Sequence, residues 1–263
     1  MRLALVGIVV LGWGRPASGA DNRDALVRAR LLYNQRQYQA AIEAAEQARG
    51  IPARVDSADL IASRAYLERF RESTAPDDLA SARDRLRRLD PHRLVGGERV
   101  EFIVGLGEAL FLDDDFGAAA DVFDSILTGG EWPTSAAREQ VLDWWASAVD
   151  RDVWPRPDIE RRGVYQRIRD RMQQELGARP DSAAAGYWAA AAARAQGDLE
   201  GAWHAAQAGW VRAPLAGDHG AALRADLDGL MLNAIVPEWA KMLAQEPHAL
   251  REEWERFKTQ WTK

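Results

Sequence analysis

The sequence predicts an all-α protein. Helix formers dominate it, alanine above all, while runs of Val, Ile and Thr of strand type are scarce. Apolar residues also recur at helical spacing, with short polar turns between the runs. At 263 residues the chain is long enough to bury a proper core, as one large domain or two smaller ones. The runs predict about 11 to 13 helices paired as antiparallel hairpins.

The first twenty residues are set apart from the fold. Arg2 supplies a positive start, Leu3 to Trp13 an apolar stretch, and Ala17, Ser18, Gly19 and Ala20 the small residues of a cleavage site. Residues 1–20 therefore read as a secretory signal removed after Gly19 or Ala20. An anchor helix fits less well, because the apolar run is far short of the ~20 residues that span a bilayer. The expected location is periplasmic or secreted, with no membrane span once the signal is gone. No cysteine follows the apolar run, which excludes lipid attachment at the usual position, and none occurs elsewhere. Disulfides and thiolate metal sites are thereby excluded. Losing Arg2 and Arg15 moves the formal charge from -6 to -8. An acidic exported chain is a poor candidate for nonspecific nucleic-acid binding.

Helices follow in order. Ala25, Leu26, Ala29, Leu32 and Tyr33 make one stripe over Asp24 to Asn34. After Gln35 to Gln37, the residues Tyr38, Ala41, Ile42, Ala45 and Ala48 make another, stopped by Gly50 and Pro52. Asp59 to Arg71 is the next helix, and Pro76 suits the first position of the one bearing Leu79, Ala82, Leu86 and Leu89. Phe102, Ile103, Leu106, Gly107 and Leu110 line a fifth; Phe116, Ala119, Ala120, Phe123, Ile126 and Leu127 line a sixth. Thr134 to Asp150 and Asp158 to Leu176 flank Trp154, Pro155, Arg156 and Pro157, the expected bend or subdomain boundary. Asp181 to Pro214 holds a hairpin that turns at Gly197 and Asp198. Terminal helices are expected over Asp218 to Val236, Pro237 to Glu246 and Pro247 to Thr262.

Two stretches share one uneven signature. Leu106, Gly107, Leu110, Asp115, Phe116, Ala119, Phe123 and Ile126 form the first; Ala189, Ala190, Ala193, Gly197, Asp198, Leu199, Ala202, Ala206, Gly209 and Pro214 form the second. Small residues stand where two helices approach closely, with a short polar turn between. This pattern resembles the tetratricopeptide repeat family. The resemblance covers residues 24–53, 99–133 and 183–216 best. Tyr38 to Phe116 spans 78 residues and Phe116 to Leu199 spans 83, neither a multiple of 34, so the repeats are degenerate. The resemblance implies a right-handed α–α superhelix, or solenoid, over 21–216, capped by the helices of 217–263. It also implies a partner-binding face on the first helix of each unit. Carried over by position, that face bears Arg23, Arg30 and Tyr33, then Glu101, Glu108 and Phe111, then Tyr187 and Arg194.

No enzyme motif accompanies this pattern. His92, His204, His219 and His248 lack two-histidine zinc spacing, and there is no phosphate loop or nucleophile-elbow serine. Asp113 to Asp115 reads as turn and cap residues, because a calcium loop needs further oxygen ligands that Phe116 to Asp124 do not provide. The ten tryptophans after Trp13 all lie between Trp132 and Trp261 and read as core filler; Trp132 and Trp154, beside prolines, are candidates for exposed contacts. Arginines from Arg151 to Arg179 alternate with acids and read as a salt-bridged face. The expected function is an exported scaffold or adaptor, without cofactor, metal or catalysis, that holds a protein or peptide in the bacterial envelope. Its rivals are a peptidoglycan-binding helical module with an aromatic groove and an enzyme whose carboxylates converge from distant repeats.

Overall fold

A computed structural model describes residues 25–129, 132 and 134–262. The expected signal segment and Arg23 lie outside these residues. Among the described residues all regular structure is helical, in thirteen α-helices joined by turns, two short 3₁₀ segments and one π turn. The fold is all-α. The chain divides into two compact units between Ala148 and Val149, a few residues before the Trp154 to Pro157 connection.

The first unit holds α1 (Ala25–Asn34), α2 (Tyr38–Ala48), α3 (Val55–Ser73), α4 (Pro76–Arg88), α5 (Gly96–Leu112), α6 (Phe116–Gly129) and most of α7 (Ser135–Val153). Arg36, Thr74 and Asp114 take positive φ in the tight turns that follow α1, α3 and α5. A turn that short between two packed helices makes them antiparallel. Neighbours in sequence pack as α1 on α2, α2 on α3, α3 on α4 and α5 on α6. Contacts also join α1 to α3 and α3 to α5, so the odd-numbered helices lie side by side in one layer.

Alanine makes this spacing possible. Ala29, Ala41, Ala45, Ala48, Ala58, Ala62 and Ala65 are wholly buried between α1, α2 and α3. A larger side chain at any of them would push the axes apart. Gly107 does the same between α5 and α6: a Cβ there would stand 2.5 Å from the ring of Phe123, itself fully buried. Leucines fill the wider gap between α3, α4 and α5, with Leu60, Leu67, Leu86 and Leu94 almost wholly enclosed. Each contributes about 1.5–3 kcal/mol relative to exposure. The third helix starts four residues earlier than its apolar stripe predicts, because Pro52–Arg54 forms a 3₁₀ turn that runs directly into it.

The second unit holds α8 (Asp158–Ala178), α9 (Ala183–Ala195), α10 (Leu199–Arg212), α11 (Gly220–Leu230), α12 (Val236–Met242) and α13 (Pro247–Trp261). Here α8 packs on α9, α9 on α10, and α11 on both α9 and α10. Two caps mark the hairpin. The Ala185 N–H donates to Ser182 Oγ at 3.1 Å, and the Gly201 N–H to Asp198 Oδ1 at 2.9 Å. Between them Gly197, at φ +82°, supplies the left-handed residue that ends α9.

One expected break is absent. The helix α11 continues through a π turn, Met231–Ile235, into α12 with no interruption at Pro237. Proline lacks an N–H, and the wider turn just before it shifts the hydrogen-bond register where that donor is missing. The core of the unit is aromatic. Trp254, fully buried on α13, lies 5.4 Å from Trp210 and 6.0 Å from Trp203, centroid to centroid, and stacks on Phe257. Its Nε1 donates to Asp228 at 2.8 Å, and Lys258 reaches the same oxygen at 2.7 Å.

Candidate functional site

The layer of α1, α3 and α5 carries charge where a packed face would ordinarily be apolar. Arg64, Glu68 and Arg71 on α3 are spaced four and three residues apart, and Glu98, Glu101 and Glu108 on α5 three and seven apart. Helical geometry puts each set on one side of its helix. Glu68, Glu98, Glu101 and Glu108 are all buried.

Buried charge is costly unless paired, and here partners come from neighbouring helices. Arg30 on α1 pairs with Glu98. Arg64 donates to Glu101 at 2.7 Å and lies over the Tyr33 ring, 4.6 Å from its centroid. Arg71 stands 2.9 Å from Glu108 and 3.5 Å from Glu68, with its guanidinium 4.6 Å above the Trp144 ring. The Tyr33 hydroxyl donates to Glu68 at 3.4 Å.

These surroundings set the ionisation of the groups. Burial pushes the Glu108 carboxyl up to about 7; Arg71 opposes the shift and the Glu68 charge adds to it. Burial also holds the Tyr33 hydroxyl far above its ordinary value, and with Glu68 and Glu72 it raises that of Tyr38 to about 12. For Arg64 burial works against the charge, but Tyr33 and Glu101 outweigh it and the guanidinium is held more firmly protonated. The site thus fixes charge in place at one end and leaves a carboxyl near neutrality at the other.

The structure brings Tyr33, Glu101 and Glu108 into one network through Arg64, Glu68 and Arg71, and pairs Arg30 with Glu98 on the same layer. The Phe111 ring meets Phe116 edge-on at 5.4 Å, across the turn into α6. Arg23 lies outside the described residues. In the second unit, Tyr187 packs edge-on against Trp188 at 5.5 Å, and Arg194 grips Glu238 of α12 through Nε and Nη2. Sequence reasoning missed Arg64, Glu68, Arg71 and Glu98. Their signal was present as charged residues recurring at helical spacing, masked by the expectation that such residues face solvent.

Other features take structural roles. Asp113 caps α5 and pairs with Arg83, and Asp114 forms the left-handed turn. Among the described residues no group of three or more His, Cys, Asp and Glu side chains could hold a metal ion. Trp145, Trp203 and Trp254 are interior, whereas Trp154 is 70% exposed and Trp261 53%. In the arginine-rich stretch, Arg156 pairs with Asp152, Arg161 with Asp158, Arg169 with Asp198 and Arg179 with Glu175. No helix among the described residues is long and apolar enough to cross a membrane. No protein-family model, curated protein or solved structure matches the chain.

Proposed function

We propose that this chain is an exported scaffold of the tetratricopeptide-repeat kind, a right-handed solenoid that holds a protein or peptide partner in the bacterial envelope without catalysis. The observation that carries the reading is the charged and aromatic layer on α1, α3 and α5. In a stack of helical hairpins the first helices share one face, and a partner laid across them meets one row of side chains. On this reading Arg30 and Tyr33 of α1 and Glu101 and Glu108 of α5 belong to that row. Export is supported by the sequence from Arg2 to Ala20, with its positive start, apolar run and small-residue end.

A rigid row of this type recognises its partner through a few anchors. Aromatic and arginine side chains supply most of the affinity in such contacts. Arg30 and Arg71 are the members of the row with the most accessible side chains. The test is photo-crosslinking in cells from a probe residue at Arg30, with Asp84 on α4 as control, followed by mass spectrometry. One partner captured from position 30 and not from 84 is the expected result. Equal capture at both, or none at either, would remove this face as the binding surface.

A further inference from the structure

In the second unit α10 and α13 leave an apolar groove on the surface. Ala208 and Val211 of α10 and Phe257 and Trp261 of α13 line it, with the carbon stems of Gln207 and Arg212, around a space of about 280 Å³. The lining residues stand three or four apart on each helix, so each helix turns one face to the groove. Its floor is firm and its walls are bare. Phe257 stacks on the buried Trp254 and packs against the core, whereas Val211 is 38% exposed and Trp261 53%. Single exposed apolar residues are ordinary, but a valine and a tryptophan on facing walls form a surface that a partner can cover.

Charge narrows what that partner is. Elsewhere in the unit Arg156, Arg161, Arg169, Arg179 and Arg194 each hold a carboxylate. Arg212 is exposed at the end of α10, and its side chain makes no ion pair or hydrogen bond among the described residues. Its stem lies along the groove, which leaves the guanidinium at the rim. The groove is thus complementary to an apolar side chain with a carboxylate beside it. A sugar needs directed polar partners for its hydroxyls, and walls of carbon supply none. A free small ligand is held by burial of most of its surface, whereas this groove is open to solvent. A helix laid between two helices is gripped from both sides by its own ridges.

We propose that the groove of α10 and α13 docks an amphipathic helix of a protein partner. A large apolar side chain of that helix fills the space between Val211 and Trp261. An aspartate or glutamate three or four residues along the same face pairs with Arg212, a charge-assisted contact that fixes the direction of the helix. This surface is a second one, independent of the layer on α1, α3 and α5.

The test displays random sixteen-residue peptides on phage against the full mature chain. Enrichment is expected for helix-forming peptides that carry Leu, Ile, Met or Phe with Asp or Glu three or four residues away. W261A and R212E should each weaken binding of a selected peptide by about tenfold or more. Exchanging the peptide's acidic residue for lysine should restore its binding to R212E. Both substituted side chains lie at the surface, and circular dichroism checks that the variants fold. Selected peptides without an acidic residue, or peptides that bind both variants as well as the wild type, would overturn the proposal. So would a selection that enriches nothing. Muropeptides bound by the wild type and not by W261A would make the groove a glycan site instead. Dimers seen by sedimentation and lost in W261A would assign it to a second copy of the chain, and either result overturns the proposal. Crosslinking from position 30 does not involve this groove, so the two surfaces fail separately.

Discussion

Trp254 shows how much one side chain can hold. Its ring is wholly enclosed among Trp203, Trp210 and Phe257, while its N–H is satisfied by Asp228 on another helix. Apolar bulk and a polar tip are thus both accommodated, which is what a buried indole requires. Removing the ring should leave a large cavity and cost about 3–5 kcal/mol. Replacing it by phenylalanine should cost less, because most of the ring volume stays and Asp228 keeps Lys258 as a partner. Urea unfolding of W254A and W254F, followed by circular dichroism, checks this ordering. Equal midpoints for the two variants would show that the hydrogen bond, rather than the packing, carries the stability.

At the scale of elements, close approach is the governing constraint. Gly107 lets α6 lie against α5, and an alanine there would drive a Cβ into the buried Phe123 ring. Alanine is the better helix former by about 1 kcal/mol, so exposed glycines usually gain from the exchange. Here overpacking, typically about 1–3 kcal/mol, should outweigh the gain. G107A is therefore expected to lower the melting temperature, and a rise would refute the tight contact. The same logic explains what could be read in advance. Helices with strong apolar stripes, such as α2, α6 and α10, were legible because packing and periodicity agree in them. Pro237 misled because proline usually marks a boundary, whereas a π turn absorbs it here. Half of the candidate site was legible, through the position of Arg30, Tyr33, Glu101 and Glu108 within a repeat. Arg64, Glu68, Arg71 and Glu98 were not, because pairing between helices remote in sequence decides whether a charged residue is buried, and spacing alone does not reveal it.

Across the whole molecule the buried carboxylates set the response to pH. The folded state raises Glu108 from the ordinary carboxylate range to about 7, and burial raises Asp59 as well. Between the unfolded and folded values the native protein binds more protons than the unfolded chain, so stability falls as pH rises through that window. A shift of this kind is worth about 3 kcal/mol at most by pH 8, at about 1.4 kcal/mol for each pH unit. The melting temperature should accordingly be higher at pH 5.5 than at pH 8, with E108Q narrowing the difference and exceeding the wild type at pH 8. A melting temperature flat over this range would show that Arg71 already neutralises the group. The aromatic core of the second unit offers a way to watch that unit by itself. Indoles as close as Trp203 and Trp239, 5.2 Å apart, or Trp210 and Trp254, 5.4 Å apart, couple electronically. Their paired circular-dichroism bands and mutual quenching form a built-in optical reporter with no label attached: the Trp210–Trp254 signal is lost as soon as α13 leaves α10, and the Trp203–Trp239 signal when α12 does.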